Sequence, residues 1–123
     1  MITVHNTLTH VCEIITGRPL FKFKFPDGYD EDSFIVVNTL GVPMDPIQTV
    51  EVNVNCYAKD LDTQKGVPDL TTLNTMTNEI ITELNEYKYN GLYIRLLMTN
   101  ILREQELSSH YINIRFQVLY TSN

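Results

Sequence analysis

Three histidines are the side chains in this sequence best suited to acid–base or metal chemistry. His5 and His10 lie five positions apart, so they do not share one face of a helix, and His110 lies in a polar segment. None of them is grouped with cysteines at the spacing of a zinc site. We therefore predict no metal, no cofactor and no catalytic histidine, and we interpret the three side chains as solvated or casually hydrogen-bonded.

The densest group of carboxylates lies in the stretch PDGYDED. Its acidic residues are Asp27, Asp30, Glu31 and Asp32. A calcium loop needs oxygen ligands at alternating positions, with glycine sixth and glutamate twelfth, whereas Gly28 comes second here. The pattern therefore favours a solvated turn between two strands. If several copies of the chain form a ring, the alternative is a negatively charged girdle or lumen.

The sequence contains none of the short motifs of hydrolases and phosphate-binding enzymes. GxSxG, HExxH and the P-loop pattern do not occur, and the chain has only five glycines from which to build a phosphate-binding loop. Its serines lie near no histidine in a recognisable motif. A catalytic triad can assemble from residues far apart in a chain, so that alternative stays open. The residues favour a protein that is not an enzyme.

Composition limits the partners that the chain can bind. The 123 residues have a net charge of −6 and are 43% hydrophobic, which is ordinary for one soluble domain covering residues 1–123. Because an acidic surface repels nucleic-acid phosphates and anionic lipid heads, we expect no stable binding to free DNA or membranes. No signal peptide or membrane span is expected. Cys12 and Cys56 fall on apolar faces, so we interpret them as reduced core thiols, which suits folding in a cytoplasm.

Apolar residues at a spacing of three or four positions predict two helices. The first covers residues 3–16, and the second begins after Asp69, a good N-cap residue, and ends at Asn90-Gly91. The apolar face of the first contains Val4, Leu8, Val11, Cys12 and Ile15. The apolar face of the second contains Leu70, Leu73, Met76, Ile80, Leu84 and Tyr87.

Alternating apolar and polar residues predict about five strands. They cover residues 20–25, 33–40, 49–58, 92–102 and 111–120. The resulting order is helix, three strands, helix, two strands, with short connections between most strands. Such an order predicts a two-layer α+β domain in which a mainly antiparallel or mixed sheet carries both helices on one face.

The strand over residues 92–102 is apolar on both faces. Leu97 and Ile101 face away from the other apolar residues of that strand. Those other residues are Leu92, Ile94, Leu96 and Met98. One layer of helices covers one face only, so the second apolar stripe must meet another subunit or a folded-over loop.

Two tyrosines fall on the outer faces of their strands. Tyr57 and Tyr111 occupy polar positions of the alternation over residues 49–58 and 111–120. Exposed tyrosine is enriched in protein interfaces, so both are candidates for a subunit contact. The alternative is that each ring packs against its own sheet.

Three stretches of the chain follow one another in a familiar order, namely VEVNVNCYAKD, LTTLNTMTNEIITELNE and the terminal HYINIRFQVLYTS. This layout resembles the tail terminator, or tail completion, proteins of long-tailed bacteriophages. Members of that family have an alternating strand that ends in an aromatic and a small residue, as Tyr57-Ala58 does. Their last strand often carries arginine among apolar residues, as Ile114-Arg115-Phe116 does. The resemblance covers residues 18–122, and the short N-terminal helix departs from many relatives.

The resemblance implies a structural virion protein without an active site. Such proteins form a homo-oligomeric, typically hexameric ring that stacks on the tail tube protein, ends tail growth and meets the head-completion or connector protein. DNA is only passing cargo, no membrane is involved, and the ring belongs to the tail–neck region of a virion assembled in the bacterial cytoplasm. The candidate subunit interface comprises Tyr57, Leu97, Ile101, Tyr111 and Arg115.

The resemblance also suggests which loops contact the next ring. We expect these contacts in residues 59–69 and 41–47, and the alternative is that both segments are plain connectors. The candidate ring-stacking residues are Met44, Asp45, Lys59, Asp60, Asp62 and Lys65. Three other functions stay open: another head–tail connector ring, a non-phage α+β ligand-binding domain, and a host adaptor that shares only the layout.

Overall fold

The computed structural model describes residues 4–15, 17–24, 31–39, 49–89 and 91–120, and every structural statement below refers to these. They form two helices and a six-stranded sheet. The elements are α1 (Val4–Ile14), β1 (Leu20–Lys22), β2 (Ser33–Thr39), β3 (Thr49–Lys59), α2 (Leu70–Leu84), β4 (Tyr87–Tyr89), β5 (Leu92–Glu104), a 3₁₀ turn (Gln105–Leu107) and β6 (Ser109–Tyr120). The predicted α+β class is confirmed.

The strands lie in the order β1-β2-β3-β6-β5-β4. β1 runs parallel to β2, and every other neighbouring pair is antiparallel, so the sheet is mixed. The prediction of about five strands was wrong by one, because β4 replaces the predicted end of the second helix. The C-cap Asn85 has an extended backbone with φ −68° and ψ 130°, which ends the helix, and Glu86 follows in a left-handed conformation with a φ of 64°. The chain then folds back so that Tyr89 lies opposite Leu92.

Both helices pack on the same face of the sheet, here called the helix-covered face. The helix residues in that core are Leu8 and Val11 from α1, with Ile15 just beyond it, and Leu73, Met76, Ile80 and Leu84 from α2. They lie against the β3 residues Val50, Val52, Val54, Cys56 and Ala58, as the alternation predicts. Each large apolar side chain buried in this way contributes roughly 1.5–3 kcal/mol, so the two amphipathic helices and β3 account for much of the stability.

The start of α2 follows the sequence prediction. Asp69 is the N-cap, and its carboxylate accepts hydrogen bonds from the Thr72 backbone N–H at 3.1 Å and from the Thr72 hydroxyl at 2.7 Å. A capping carboxylate satisfies one of the N–H groups that the first helical turn leaves unpaired. The cap therefore fixes where residues 59–69 end and the helix begins.

The second face of β3 is also buried, although the alternation places polar residues and Tyr57 on it. Asn53, Asn55 and Tyr57 are between 5% and 9% exposed. We call this side of the sheet the amide face, since Asn53 and Asn55 of β3 share it with Asn113 of β6. The hydrophobic pattern does not reveal this burial, because asparagine is polar whether or not it is buried.

A β-bulge in β5 inverts its alternation. Leu96 lies opposite Phe116, but the next paired residue is Met98, which lies opposite Arg115, so Leu97 has no cross-strand partner. Ile101 consequently lies opposite Ile112 on the helix-covered face, and Met98 points to the amide face. The prediction that Ile101 faces away from Ile94 and Leu96 was therefore wrong, because one extra residue reverses every side chain that follows it.

Candidate subunit interface

The outer edge of β5 lacks a neighbouring strand over most of its length. β4 pairs only with residues 92–94, and from residue 95 to residue 104 no described strand lies along that side. One backbone group near its start is satisfied, since the Leu96 N–H donates to the Asn85 side-chain oxygen at 2.9 Å. A bare strand edge offers a row of backbone donors and acceptors to another chain.

The same segment exposes large apolar side chains. The four residues are 39–46% exposed in the single chain, and they are Leu97, Met98, Ile101 and Leu102. They lie on both faces because side chains alternate along a strand: Leu102 lies opposite Tyr111 on the amide face, whereas Ile101 lies on the helix-covered face. We call residues 97–104 the β5 edge. The structure thus leaves the sequence-predicted Leu97 and Ile101 uncovered, on a strand that is bare along its side.

Tyr57 was predicted to lie exposed at a subunit interface, but the structure places it in a stack of aromatic rings on its own sheet. Its ring stacks between Phe34 at 4.7 Å with an interplanar angle of 5° and Tyr111 at 4.6 Å with an angle of 24°. It is 9% exposed, so the alternative stated for it, packing against its own sheet, is what the structure shows. Tyr57 is therefore withdrawn from the candidate interface, whereas Tyr111 at the end of the stack is half-buried.

Arg115 takes part in a network of amide side chains across β2, β3 and β6. Asn53 donates to Asn38 at 3.0 Å and accepts from Asn113 at 3.1 Å and from the Arg115 Nε–H at 3.3 Å. Asn113 also donates to Asn55 at 2.7 Å. These bonds satisfy amides that would be costly to bury unpaired, and they hold Arg115 half-buried against the sheet. The spacing of the asparagines along β3 and β6 was the signal available in the sequence.

Residues 59–69 fold on themselves. The Asp62 carboxylate accepts hydrogen bonds from the backbone N–H groups of Gln64 at 3.1 Å and Lys65 at 2.9 Å, and the Leu61 N–H donates to the Val67 carbonyl at 2.8 Å. Asp62 is therefore used within the loop. The side chains of Lys59 and Lys65 are exposed and available to a partner.

Asp60 is buried, which corrects its prediction as a ring-stacking residue. Its side chain is fully inaccessible, and its Oδ1 lies 2.7 Å from Nδ1 of His110, whose side chain is 13% exposed. The Asp60 backbone N–H also donates to the Ser108 carbonyl at 2.9 Å. Asp60 thus ties residues 59–69 to the tip of the β5–β6 hairpin. Histidine and carboxylate lie 50 positions apart, so no local pattern could have revealed the pair.

A cleft of about 550 Å³ lies beside this attachment. Its polar lining residues are Arg18, Asp32, Ser33, Lys59, Asp60, Asp69, Thr71, Thr72 and Thr75. Asp69 is occupied as the N-cap, and Arg18 donates to the Ser33 hydroxyl at 3.1 Å and lies 3.6 Å from Glu79. Oδ2 of Asp60 is buried and has no hydrogen-bond partner. The described part of the chain contains no group of three or more acidic, histidine or cysteine residues placed to hold a metal ion.

Several predicted residues lie outside the described part of the chain. They are Asp27, Asp30, Met44 and Asp45. The other two acidic residues of that cluster, Glu31 and Asp32, are exposed just before β2. Neither described helix has the length and apolar character that crossing a membrane requires.

Comparison with known proteins does not assign a family. No protein-family model matches the sequence, and no curated protein matches it.

Proposed function

We propose that this chain is a structural virion protein that forms a ring on the phage tail tube, ends tail growth and joins the tail to the head connector. The observation that carries the proposal is the β5 edge, which is bare along its side and apolar on both faces. The resemblance of residues 18–122 to tail terminator proteins supplies the kind of assembly. The exposed Glu31 and Asp32 fit a wall past which DNA slides without binding.

Self-association explains the composition of the β5 edge. Proteins that remain monomeric protect an edge strand with lysine, proline or a bulge that turns it away. Residues 98–102 read MTNIL and contain neither a charge nor a proline, and the bulge of β5 lies before this stretch. Such a segment is an aggregation hazard unless a specific partner covers it. A ring of identical chains covers it on every copy.

The six predicted ring-stacking residues divide into four that remain candidates and two that are used within the chain. Lys59 and Lys65 are exposed and retain that proposed role, and Met44 and Asp45 retain it as predictions. Asp60 is an internal anchor instead, and Asp62 accepts hydrogen bonds from its own loop. This division gives a surface that contacts the next ring and a separate edge that contacts the neighbouring subunit.

The test combines light scattering with tail-tube assembly. We expect the purified chain to self-associate as its concentration rises, and to shorten tubes grown from purified tail tube protein by occupying their growing end. Ile101→Asp places a charge on the β5 edge and is expected to lower both the mass in solution and the tube-capping activity. Leu70→Asp, an equal change at an exposed leucine of α2, is the matched control and is expected to change neither. A chain that stays monomeric and leaves tube length unaltered would contradict the proposal.

Two alternatives have their own observations and tests. If the ring binds DNA-filled heads but not tubes, the chain is a connector of the head side rather than a terminator. The cleft beside Asp60, which is lined by Lys59 and three threonines, favours a small-molecule binding domain. In that case an anionic ligand of the cleft, such as inorganic phosphate, would raise the melting temperature of the wild-type chain and not that of Lys59→Ala, whatever its oligomeric state.

A further inference from the structure

The two side edges of the sheet differ in a way that suits pairing between copies. β1 forms the edge opposite to the β5 edge, is three residues long, and has no described strand on its outer side. The next residue, Phe23, is 55% exposed. Neither edge has a described strand beside it, both carry apolar side chains, and they lie on opposite sides of the sheet; one carbonyl of β1, that of Lys22, accepts a hydrogen bond from the Lys24 N–H at 2.8 Å.

The directions of the strands make these edges compatible. β1 is parallel to β2, and three antiparallel steps lead from β2 through β3 and β6 to β5, so β1 and β5 run in opposite directions. A copy placed beside another by rotation about an axis parallel to the strands would bring β1 alongside β5 as an antiparallel pair. Antiparallel pairing is also the more stable kind per residue.

The register places the two edges at the same height on the sheet. One row of directly opposed residues links Leu20 to Ile101 through Ile35, Cys56 and Ile112. A second row links Lys22 to Thr99 through Val37, Val54 and Ile114. β1 therefore lies level with the exposed part of β5, and Leu20 and Ile101 are on the same face.

We propose that copies of this chain join head to tail, with β1 of one copy paired antiparallel to the β5 edge of the next. This inference rests on the proposed ring, and it names the two surfaces that close it. The added strand pairs with residues 99–101 of the bare edge, so that Leu20 covers Ile101 on the helix-covered face and Phe21 lies on the amide face between Met98 and Leu102. The six-stranded sheet continues from copy to copy.

The exposed area favours this arrangement over a two-fold pair of β5 edges. The four exposed apolar side chains of the β5 edge, Leu97, Met98, Ile101 and Leu102, together expose on the order of 300 Å² of surface. This area is well below the ~800 Å² per partner of a typical stable interface. A two-fold pair would bury that surface once and leave β1 bare. A head-to-tail ring uses both of these edges on every copy, so each chain gains two contacts.

Disulfide trapping between two differently marked chains tests the pairing. One chain carries Lys22→Cys and the other carries Thr99→Cys, both at exposed positions, in a background in which Cys12 is replaced by serine. Adjacent strands bring Cα atoms within the 4.4–6.8 Å that a disulfide requires, so we expect mixed disulfides when the two chains are combined under mild oxidation. Combining Thr99→Cys with Leu20→Cys or with Phe21→Cys instead of Lys22→Cys, and comparing the yields of mixed disulfide, shows which β1 residue lies opposite Thr99 and so gives the register. Glu13→Cys, at an exposed position of α1, is the matched control and is expected not to cross-link to Thr99→Cys.

The outcomes separate this pairing from the proposed function. Disulfides between two Thr99→Cys chains would show a two-fold β5 pair and overturn the head-to-tail arrangement. An oligomer in light scattering without mixed disulfides at any of the three β1 positions would overturn it as well, as would a strict monomer. A chain that cross-links as expected but leaves tail tubes unaffected would confirm the pairing and contradict the role in tail assembly.

Discussion

The single variant His110→Ala is expected to destabilise the protein more than the double variant that carries both His110→Ala and Asp60→Ala. The carboxylate of Asp60 is fully inaccessible, lies 2.7 Å from Nδ1 of His110 and has a second oxygen without a partner. His110→Ala would therefore break a buried pair by removing one partner, which costs about 3–5 kcal/mol. Asp60→Ala leaves an imidazole that is partly exposed and can hydrogen-bond to water, so its cost is about 1–3 kcal/mol.

The double variant decides whether the pair acts as reasoned. Asp60→Ala in the His110→Ala background removes the stranded carboxylate, so the double variant is expected to be more stable than His110→Ala alone. Urea unfolding followed by far-ultraviolet circular dichroism measures each free energy of unfolding. Because small domains are stable by only about 5–15 kcal/mol, the loss in His110→Ala is large and readily measured. His10→Ala is the control, since His10 forms no ion pair among the described residues.

Additivity would refute this reasoning. If the two single variants cost amounts that sum to the double variant within about 0.5 kcal/mol, the two side chains are not coupled and the loop is held by other contacts. If the double variant is less stable than His110→Ala, the carboxylate is stabilised by groups other than the imidazole. Either result would show that the Asp60–His110 pair is not what holds residues 59–69 to the β5–β6 hairpin.

Three further predictions concern single positions. Tyr57→Ala removes the middle ring of an aromatic stack and is expected to lower the free energy of unfolding by about 3–5 kcal/mol, whereas Tyr57→Phe keeps the stacking. Equal thermal midpoints for the two variants would contradict a stabilising role of the stack. Asp69→Ala is expected to cost about 1 kcal/mol by loss of the α2 cap, with Asp69→Ser largely retaining stability in the same urea titration. Burial raises the pKa of Cys56 from 9.0 to about 12 and that of Tyr57 from 10.0 to about 12, so folding favours their neutral forms. The free energy of unfolding is therefore expected to be highest below pH 9 and to fall between pH 9 and pH 12. In Cys56→Ala it is expected to fall less steeply with pH. An unchanged slope in that variant would contradict a contribution of the Cys56 thiol to the pH dependence.

The regular elements could be predicted because each buries one face. The alternation of apolar and polar residues predicted a strand over residues 49–58, and the strand spans Thr49–Lys59. The polar residue before an apolar run predicted Asp69 as the N-cap of α2, which it is. These signals arise from a single chain segment facing a core on one side and solvent on the other. Two reduced core thiols were predicted by the same reasoning, and Cys12 and Cys56 are free.

The remaining features depend on contacts between segments that are distant in sequence. β1 ends at Lys22 rather than at residue 25 because Phe23 has a φ of 67°, a conformation that the alternating phenylalanines did not suggest. Burial of Asp60 requires His110, and burial of Asn53 requires amide partners on β2 and β6. A polar residue in a sequence looks the same whether water or a distant side chain satisfies it, so these residues were assigned to the surface.

The placement of the exposed β5 residues determines which kind of partner they can accept. Because side chains alternate along a strand, Met98 and Leu102 lie on the amide face and Ile101 lies on the helix-covered face, where the register shift after Leu96 places it. A flat partner could cover only one of these sets and would leave the backbone edge bare. A strand added along β5 reaches both sets and pairs with part of the bare edge in one contact, which is why the geometry favours pairing of edges over packing of faces.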